Sequence, residues 1–244
     1  MTELRVIPVS GLPEVREGDD LAVLISDAAE LEDGDVVVVA HKVVSKAEGR
    51  VVRIAELEPS QLARRIAEVD GRDARQVEAV LREAARIVRI RPPLVIAETR
   101  HGFVCASGGV DASNAPEPGS LVLLPEDPDA SAERIRAGLG ERTGRDVGVI
   151  VSDSFGRAWR QGTTDVAIGA AGVRVLLDLD GQRDAAGYEL HATTIAVADE
   201  IAGAAELVMG KLDGVPAAIV RGLEVAGPGA ARDLVMPAER DLFR

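Results

Sequence analysis

The run Val36-Val37-Val38-Val39 constrains the fold of this chain more than any other stretch. Four successive β-branched side chains are crowded in a helix and fit a pleated surface, so Asp35–Ala40 is read as a strand. The run is continuous and does not alternate with polar residues, so the strand should be covered on both faces. Val149-Ile150-Val151 repeats the pattern, and Asp146–Val151 is read as a second buried strand. Each run ends abruptly in polar residues. The first leads into His41-Lys-Val-Val-Ser-Lys-Ala-Glu-Gly-Arg50, a loop or short helix carrying cations before Val51 and Val52 resume the apolar pattern. The second leads into Ser152-Asp153-Ser154-Phe155-Gly156, where the chain is expected to turn.

The remaining elements mix helices and strands. Helices are expected at Asp20–Ala29, from Pro59-Ser60 to about Val69, from Asp73 to Val88, from Ser131 to Arg142 and from Thr193 to Leu207. Arg91-Pro-Pro93 closes the second of the two central helices. Strands are expected at Leu94–Glu98, Gly102–Ala106, Leu121–Leu124, Thr164–Gly169, Val173–Leu177 and Ala217–Arg221, and Leu4–Val9 alternates weakly before the turn Gly11–Glu14. No repeat or low-complexity linker divides the chain. With 46% hydrophobic residues it can bury a sizeable core, as one large domain or two intimately packed ones.

Charge and cysteine content narrow the function. A formal net charge of -13 argues against a protein held to nucleic acid by general electrostatics, while a nucleotide in a local basic pocket stays compatible. No apolar stretch approaches a membrane span and the N-terminus lacks a signal-peptide core, so a cytoplasmic location is expected. Cys105 is the single cysteine, which excludes an intrachain disulfide or a multi-cysteine zinc site. His41, His101 and His191 have no metal-ligand spacing, and neither a P-loop nor a dinucleotide glycine fingerprint occurs.

What remains is hard oxygen chemistry. Asp153 and Ser154 follow a buried strand, and with Asp111 and Asn114 they form a donor set suited to a divalent ion on phosphate oxygens. A lone Asp in a glycine- or serine-rich loop more often stabilises a turn, so Asp111 could do only that. His41, Lys42, Ser45 and Lys46 are placed to neutralise a polyphosphate, or form a solvated basic segment. Gly108-Gly109 and Met209-Gly210-Lys211 either admit a phosphate to the backbone or make tight turns. Phe155 and Trp159 gather much of the chain's sparse aromatic content beside Asp153, which suggests packing that holds the site.

Five segments, taken in order, resemble the coenzyme F420-0:L-glutamate ligase family. They are Val43–Arg50, Arg100–Asn114, Ser152–Arg160, Thr164–Gly169 and Glu206–Lys211, and the similarity runs from about Gly11 to Gly222. The resemblance implies an α+β fold of mixed sheets and packed helices, with two intertwined subdomains in a homodimer. Residues 1–244 would be the ligase domain alone, without the C-terminal flavin-binding domain of some members. It further implies a ligase that uses GTP to add L-glutamate, and further γ-linked glutamates, to the lactyl-phosphate side chain of the deazaflavin F420-0. Two ions of Mg2+ or Mn2+ per site, with K+ as an additional ion, would serve it. Asp111, Asp153, Ser154 and Glu206 match metal positions. Gly11, Leu12, Pro13, Glu14, His41, Lys42, Lys46, Asn114, Met209, Gly210 and Lys211 match nucleotide-binding positions, His41 departing from the small polar or amide residue expected there. Lys46, Arg157 and Arg160 would add fixed positive charge for catalysis, although the two arginines could instead pair with carboxylates in the dimer. Two readings compete with the ligase: a metal-dependent phosphohydrolase and a nucleotide-binding scaffold.

Overall fold

The computed structural model describes residues 3–91 and 94–242. Strand β1 (Arg5–Pro8) leads through an extended segment to α1 (Leu21–Ala28), which Asp20 caps through the backbone amides of Ala22 and Val23. Strand β2 (Val36–Ala40) passes directly into α2 (His41–Ala47). Then come β3 (Val51–Arg53), α3 (Gln61–Asp70), α4 (Ala74–Glu83), β4 (Ala84–Arg91), β5 (Leu94–Thr99), β6 (Val104–Ala106) and β7 (Ser120–Val122). The chain continues with α5 (Pro128–Thr143), β8 (Gly148–Gly156), β9 (Thr163–Ala171), β10 (Leu177–Asp178), β11 (Thr194–Ile195), α6 (Val197–Met209) and β12 (Ala217–Arg221). The architecture is α+β with mixed sheets, as the resemblance implied.

The largest sheet has the order β1-β12-β2-β8-β9, with β2 and β8 parallel and the other neighbours antiparallel. The apolar runs of its central strands are covered on both faces. Val37, Val39, Val149, Val151 and Ile219 join one core with Leu21 and Ile25 of α1 and Ile135 and Leu139 of α5. Val36, Val38, Ile150, Ala218 and Val220 join a second core with Ala198, Ile201, Ala202 and Ala205 of α6. The four valines of β2 are each no more than 1% exposed, and each such burial contributes about 1.5–3 kcal/mol.

Residues 51–122 leave this sheet in one excursion and return. They build the three-stranded sheet β4-β5-β6, the pair β3-β7 and the helices α3 and α4 around their own small cores of Ala63, Ile66, Val77, Val80 and Val95, and of Leu57, Ala79 and Leu121. Among the described residues, no helix is long and apolar enough to cross a membrane.

Four expectations need correction. The helix from Asp73 ends at Glu83, and Ala84–Arg91 is a strand because it pairs along its length with β5; that ladder outweighs the helical spacing of its apolar residues. The Pro92-Pro93 break lies outside the described residues. Strand β8 does not turn at Asp153 but runs on to Gly156, since Ser154 pairs with Asp165 and Gly156 with Thr163. Val173–Leu177 is no strand: Val173 makes an isolated bridge to Ala226, and Leu177 pairs with Ile195. Helix α6 starts at Val197, after Thr194 and Ile195 are spent on that pairing, and extends to Met209.

Candidate active site

The parallel pairing of β2 with β8 builds the site. Its register sets Ala40 opposite Ser152, so the residues just beyond, His41 at the start of α2 and Asp153, emerge side by side where β2 and its ladder with β8 end. Ligands of open α/β sheets characteristically bind at such ends. A cleft of about 600 Å³ opens there. It is lined by Leu12, Pro13 and Glu14 from the segment after β1, by His41, Lys42 and Lys46 from α2, and by Asp111 and Asn114. Asp153 and Ser154 of β8, Glu206 and Met209 of α6, and Gly210 and Lys211 complete the set. All these sequence-predicted residues therefore share one cleft, although they come from five separated segments.

Gly11, Ser45, Gly108, Gly109, Arg157 and Arg160 do not line it. Gly11 stands one residue outside, at φ +82°, which glycine adopts without strain. Arg157 and Arg160 are exposed in the loop joining β8 to β9, where the Arg157 guanidinium donates to the Gln161 carbonyl at 3.0 Å. Trp159 in that loop is 84% exposed, so it does not pack against the site as expected; Phe155 packs edge-on to Phe103 at 6.2 Å between centroids, and neither ring lines the cleft. Gly108 and Gly109 lie away from the cleft. At Gly109 a side chain would collide with Leu124, so that glycine serves packing.

The lysines are held by carboxylates. Lys42 Nζ lies 2.5 Å from Asp111 Oδ2 and 2.6 Å from Ser113 Oγ. Asp111 is itself fixed by paired backbone hydrogen bonds with Val122 at 3.0 and 2.8 Å. Burial pushes the Asp111 carboxyl up, but the hydrogen bonds from Lys42 and Ser113 and the Lys42 charge outweigh it and hold the group below its ordinary range. Lys46, only 7% exposed, donates to Glu14 Oε1 at 2.6 Å. A buried ammonium with one carboxylate partner is a fixed positive charge facing the cleft.

On the other wall, sequence reasoning missed Asp165. This β9 carboxylate is 5% exposed and accepts hydrogen bonds from Ser152 Oγ at 2.8 Å and Ser154 Oγ at 2.7 Å. It lines the cleft opposite Glu206, whose carboxyl is raised above its ordinary value by burial and by the Asp165 charge, against the pull of the Asp165 amide and Lys211. The signal was there: an acid inside the apolar run Thr164–Gly169 needs a partner or a function. His41, 2% exposed, has Nε2 3.2 Å from Asp153 Oδ1 but in an orientation that makes no hydrogen bond. Among the described residues neither of its ring nitrogens has a hydrogen-bond partner. Cys105 is buried, and burial together with the Asp153 charge pushes its thiol up to about 12, which disfavours the thiolate a nucleophile needs.

The donor set fits a divalent ion shared with a ligand. Among the described residues no three His, Cys, Asp or Glu side chains converge as a ready cage. Mg2+ commonly takes only one or two carboxylates and completes its shell with water and phosphate oxygens. Glu14, Asp111, Asp153, Asp165 and Glu206 line the cleft together with Lys42, Lys46 and Lys211. With acids in excess, a polyphosphate could enter only with added cations, and Asp153, Ser154 and Glu206 are hard oxygen donors.

Comparison with known proteins places the chain in a family. The profile of the family described as F420-0:gamma-glutamyl ligase matches residues 11–222. A protein of Methanopyrus kandleri named coenzyme F420:L-glutamate ligase is 53% identical over 99% of this chain and 98% of its own length. Proteins with that name from Archaeoglobus fulgidus and Methanothermobacter thermautotrophicus are 47% and 46% identical, each over 99% of this chain and over 96% and 99% of their own lengths. A match of this extent leaves no part of the cleft outside the shared sequence, and the chain belongs to the F420-0:gamma-glutamyl ligase family.

Proposed function

We propose that this chain is the ligase of coenzyme F420 biosynthesis that joins L-glutamate to F420-0 at the expense of GTP, with further glutamates added through γ-linkages. The observation that carries the reading is the convergence of three lysines and five carboxylates at the ends of β2 and β8. A carboxylate resists attack by an amine because its leaving group would be oxide. Transfer of the GTP γ-phosphoryl group to an oxygen of the F420-0 carboxylate gives an acyl phosphate and GDP. The glutamate amine then attacks the acyl carbon, the C–N bond forms as the C–O bond to phosphate breaks, and the amine proton leaves to solvent.

Positioning and electrostatics do most of this work. Lys46 presents a buried ammonium to the triphosphate, and Lys42 and Lys211 add charge at the rim. Gly210 and Met209 bring backbone close to the nucleotide, with Leu12, Pro13 and Glu14 opposite. Bound Mg2+ or Mn2+, held by Asp153, Ser154, Glu206 and Asp111 with K+ as a further ion, would supply charge neutralisation of the phosphate oxygens. Asp165 orients the Ser154 hydroxyl. No enzyme nucleophile is needed, consistent with the raised Cys105 thiol. A homodimer belongs to the same reading; Val88, Ile90, Leu94 and Val104 leave the β4-β5-β6 sheet with exposed apolar side chains suited to burial against a second copy.

The test is incubation with GTP, Mg2+ or Mn2+, F420-0 and L-glutamate. The proposal requires GDP release that depends on both acceptors and a product heavier by one glutamyl residue. Phosphate release independent of glutamate would favour the phosphohydrolase instead, and nucleotide binding without turnover would favour the scaffold.

A further inference from the structure

The loop that joins β8 to β9 continues directly from the ligand-bearing end of β8, and its composition is unlike the rest of the chain. It carries Arg157, Trp159 and Arg160, and Trp159 is the only tryptophan in a sequence with 2% aromatic residues. The indole is 84% exposed, an unusual place for the largest side chain in a protein. Its backbone has φ +57°, a left-handed conformation that a bulky residue adopts only under strain. Among the described residues neither Arg157 nor Arg160 is in an ion pair.

We infer that this loop is the binding platform for the ring and phosphate of the acceptor, with Trp159 stacking on the deazaflavin and Arg157 and Arg160 facing its phosphodiester. The inference rests on the proposed ligase reading. In that reaction the acceptor carboxylate must meet the nucleotide in the cleft, and the ring sits at the opposite end of a phosphate-containing side chain. The ring must therefore lie beyond the cleft. Trp159 follows Ser154, which lines the cleft, by five positions, a chain distance of at most about 18 Å. A flat aromatic with a nearby anion calls for an exposed aromatic face flanked by guanidinium groups, which bind phosphate oxygens in a bidentate fork. The antiparallel ladder of β8 with β9, paired as far as Gly156 and Thr163, holds the base of the loop in place.

Trp159 is also the reporter. Titrating the full chain with F420-0 in the presence of Mg2+ and GDP should quench its emission saturably, beyond the inner-filter loss of free N-acetyltryptophanamide. Trp159→Ala should raise KM for F420-0 about tenfold or more while KM for GTP stays within about twofold, and Trp159→Phe should restore most of the loss. Arg157→Ala and Arg160→Ala should raise the same KM and leave that for GTP. A wild-type protein that makes product, paired with a Trp159→Ala variant of unchanged acceptor KM, overturns the inference and leaves the ligase reading intact. If light scattering shows Trp159→Ala to change the oligomeric state and both KM values rise together, the loop is a subunit contact and the inference is overturned. A wild-type protein that makes no glutamylated product overturns the ligase reading itself.

Discussion

Asp165→Asn is the perturbation that probes the site most specifically, because it alters one buried group and almost no volume. The carboxylate is 5% exposed and takes the hydroxyl protons of Ser152 at 2.8 Å and Ser154 at 2.7 Å, one on each oxygen. Asparagine keeps one acceptor and presents an NH2 group to the other hydroxyl, which must then reverse its proton. Both hydrogen bonds can persist, but each loses its charge assistance. At about 1 kcal/mol for each bond made neutral, partly offset by relief of repulsion with Glu206, the expected loss of stability is about 1–2 kcal/mol. Ser154 is no longer oriented, and the outer support of a metal-phosphate site is commonly worth about 10–100-fold in activity or metal affinity. Urea unfolding should show the midpoint shift, and kcat/KM for GTP at varied Mn2+ should show the functional one. In a Ser154→Ala background the same substitution should cost less, because the two groups act as a unit. A stability loss with kcat/KM within about twofold of wild type would refute the assignment of Asp165 to the organisation of the site.

Other substitutions separate the walls of the cleft from the frame. Lys46→Ala should lower GTP-dependent turnover about 10²–10³-fold with the melting temperature nearly unchanged, since its partner Glu14 is 66% exposed and can be rehydrated; calorimetric titration with GTP and steady-state assays check both. Arg221→Ala should cost about 3–5 kcal/mol in urea unfolding, because it strips both guanidinium contacts, at 2.7 and 2.8 Å, from an Asp35 side chain that is 0% exposed. Asp199 is raised above its ordinary value by burial, against the hydrogen bond from the Ala167 amide. Its folded-state pKa therefore exceeds the unfolded one, and its contribution to stability is present below the unfolded value and lost as pH rises through the folded one. Asp199→Asn keeps an acceptor for Ala167, so the variant should match wild type in acid and become the more stable as pH rises through and above the carboxylate range. Unfolding free energies measured across that range check the sign.

Much of the frame was legible because single stretches encode it. Four valines in a row admit few structures besides a strand covered on both faces, and α1, β2, α5 and β12 lie close to where their spacing and caps put them. The failures share a cause. Ala84–Arg91 has apolar residues at helical intervals but pairs with β5, and Asp153-Ser154 looks like a turn but pairs with β9. In both, a partner distant in sequence or unseen locally decides the backbone. The site was legible in its parts and illegible as an assembly. Nothing local places Lys46 near Glu14 or His41 near Asp153; the parallel register of β2 on β8 and the hydrogen bond from the Gly18 amide to the Ala47 carbonyl do that. Asp165 escaped notice because its role lies in hydroxyls 11 and 13 positions away, across a bulged ladder.

The central claim is that this cleft activates a carboxylate by phosphoryl transfer, and oxygen tracing tests it most directly. F420-0 labelled with oxygen-18 in its reacting carboxylate, incubated with GTP, Mg2+ and L-glutamate, should yield phosphate carrying one heavy oxygen for each amide formed. Amide formation with unlabelled phosphate, or heavy oxygen entering phosphate only from labelled water, would contradict the account.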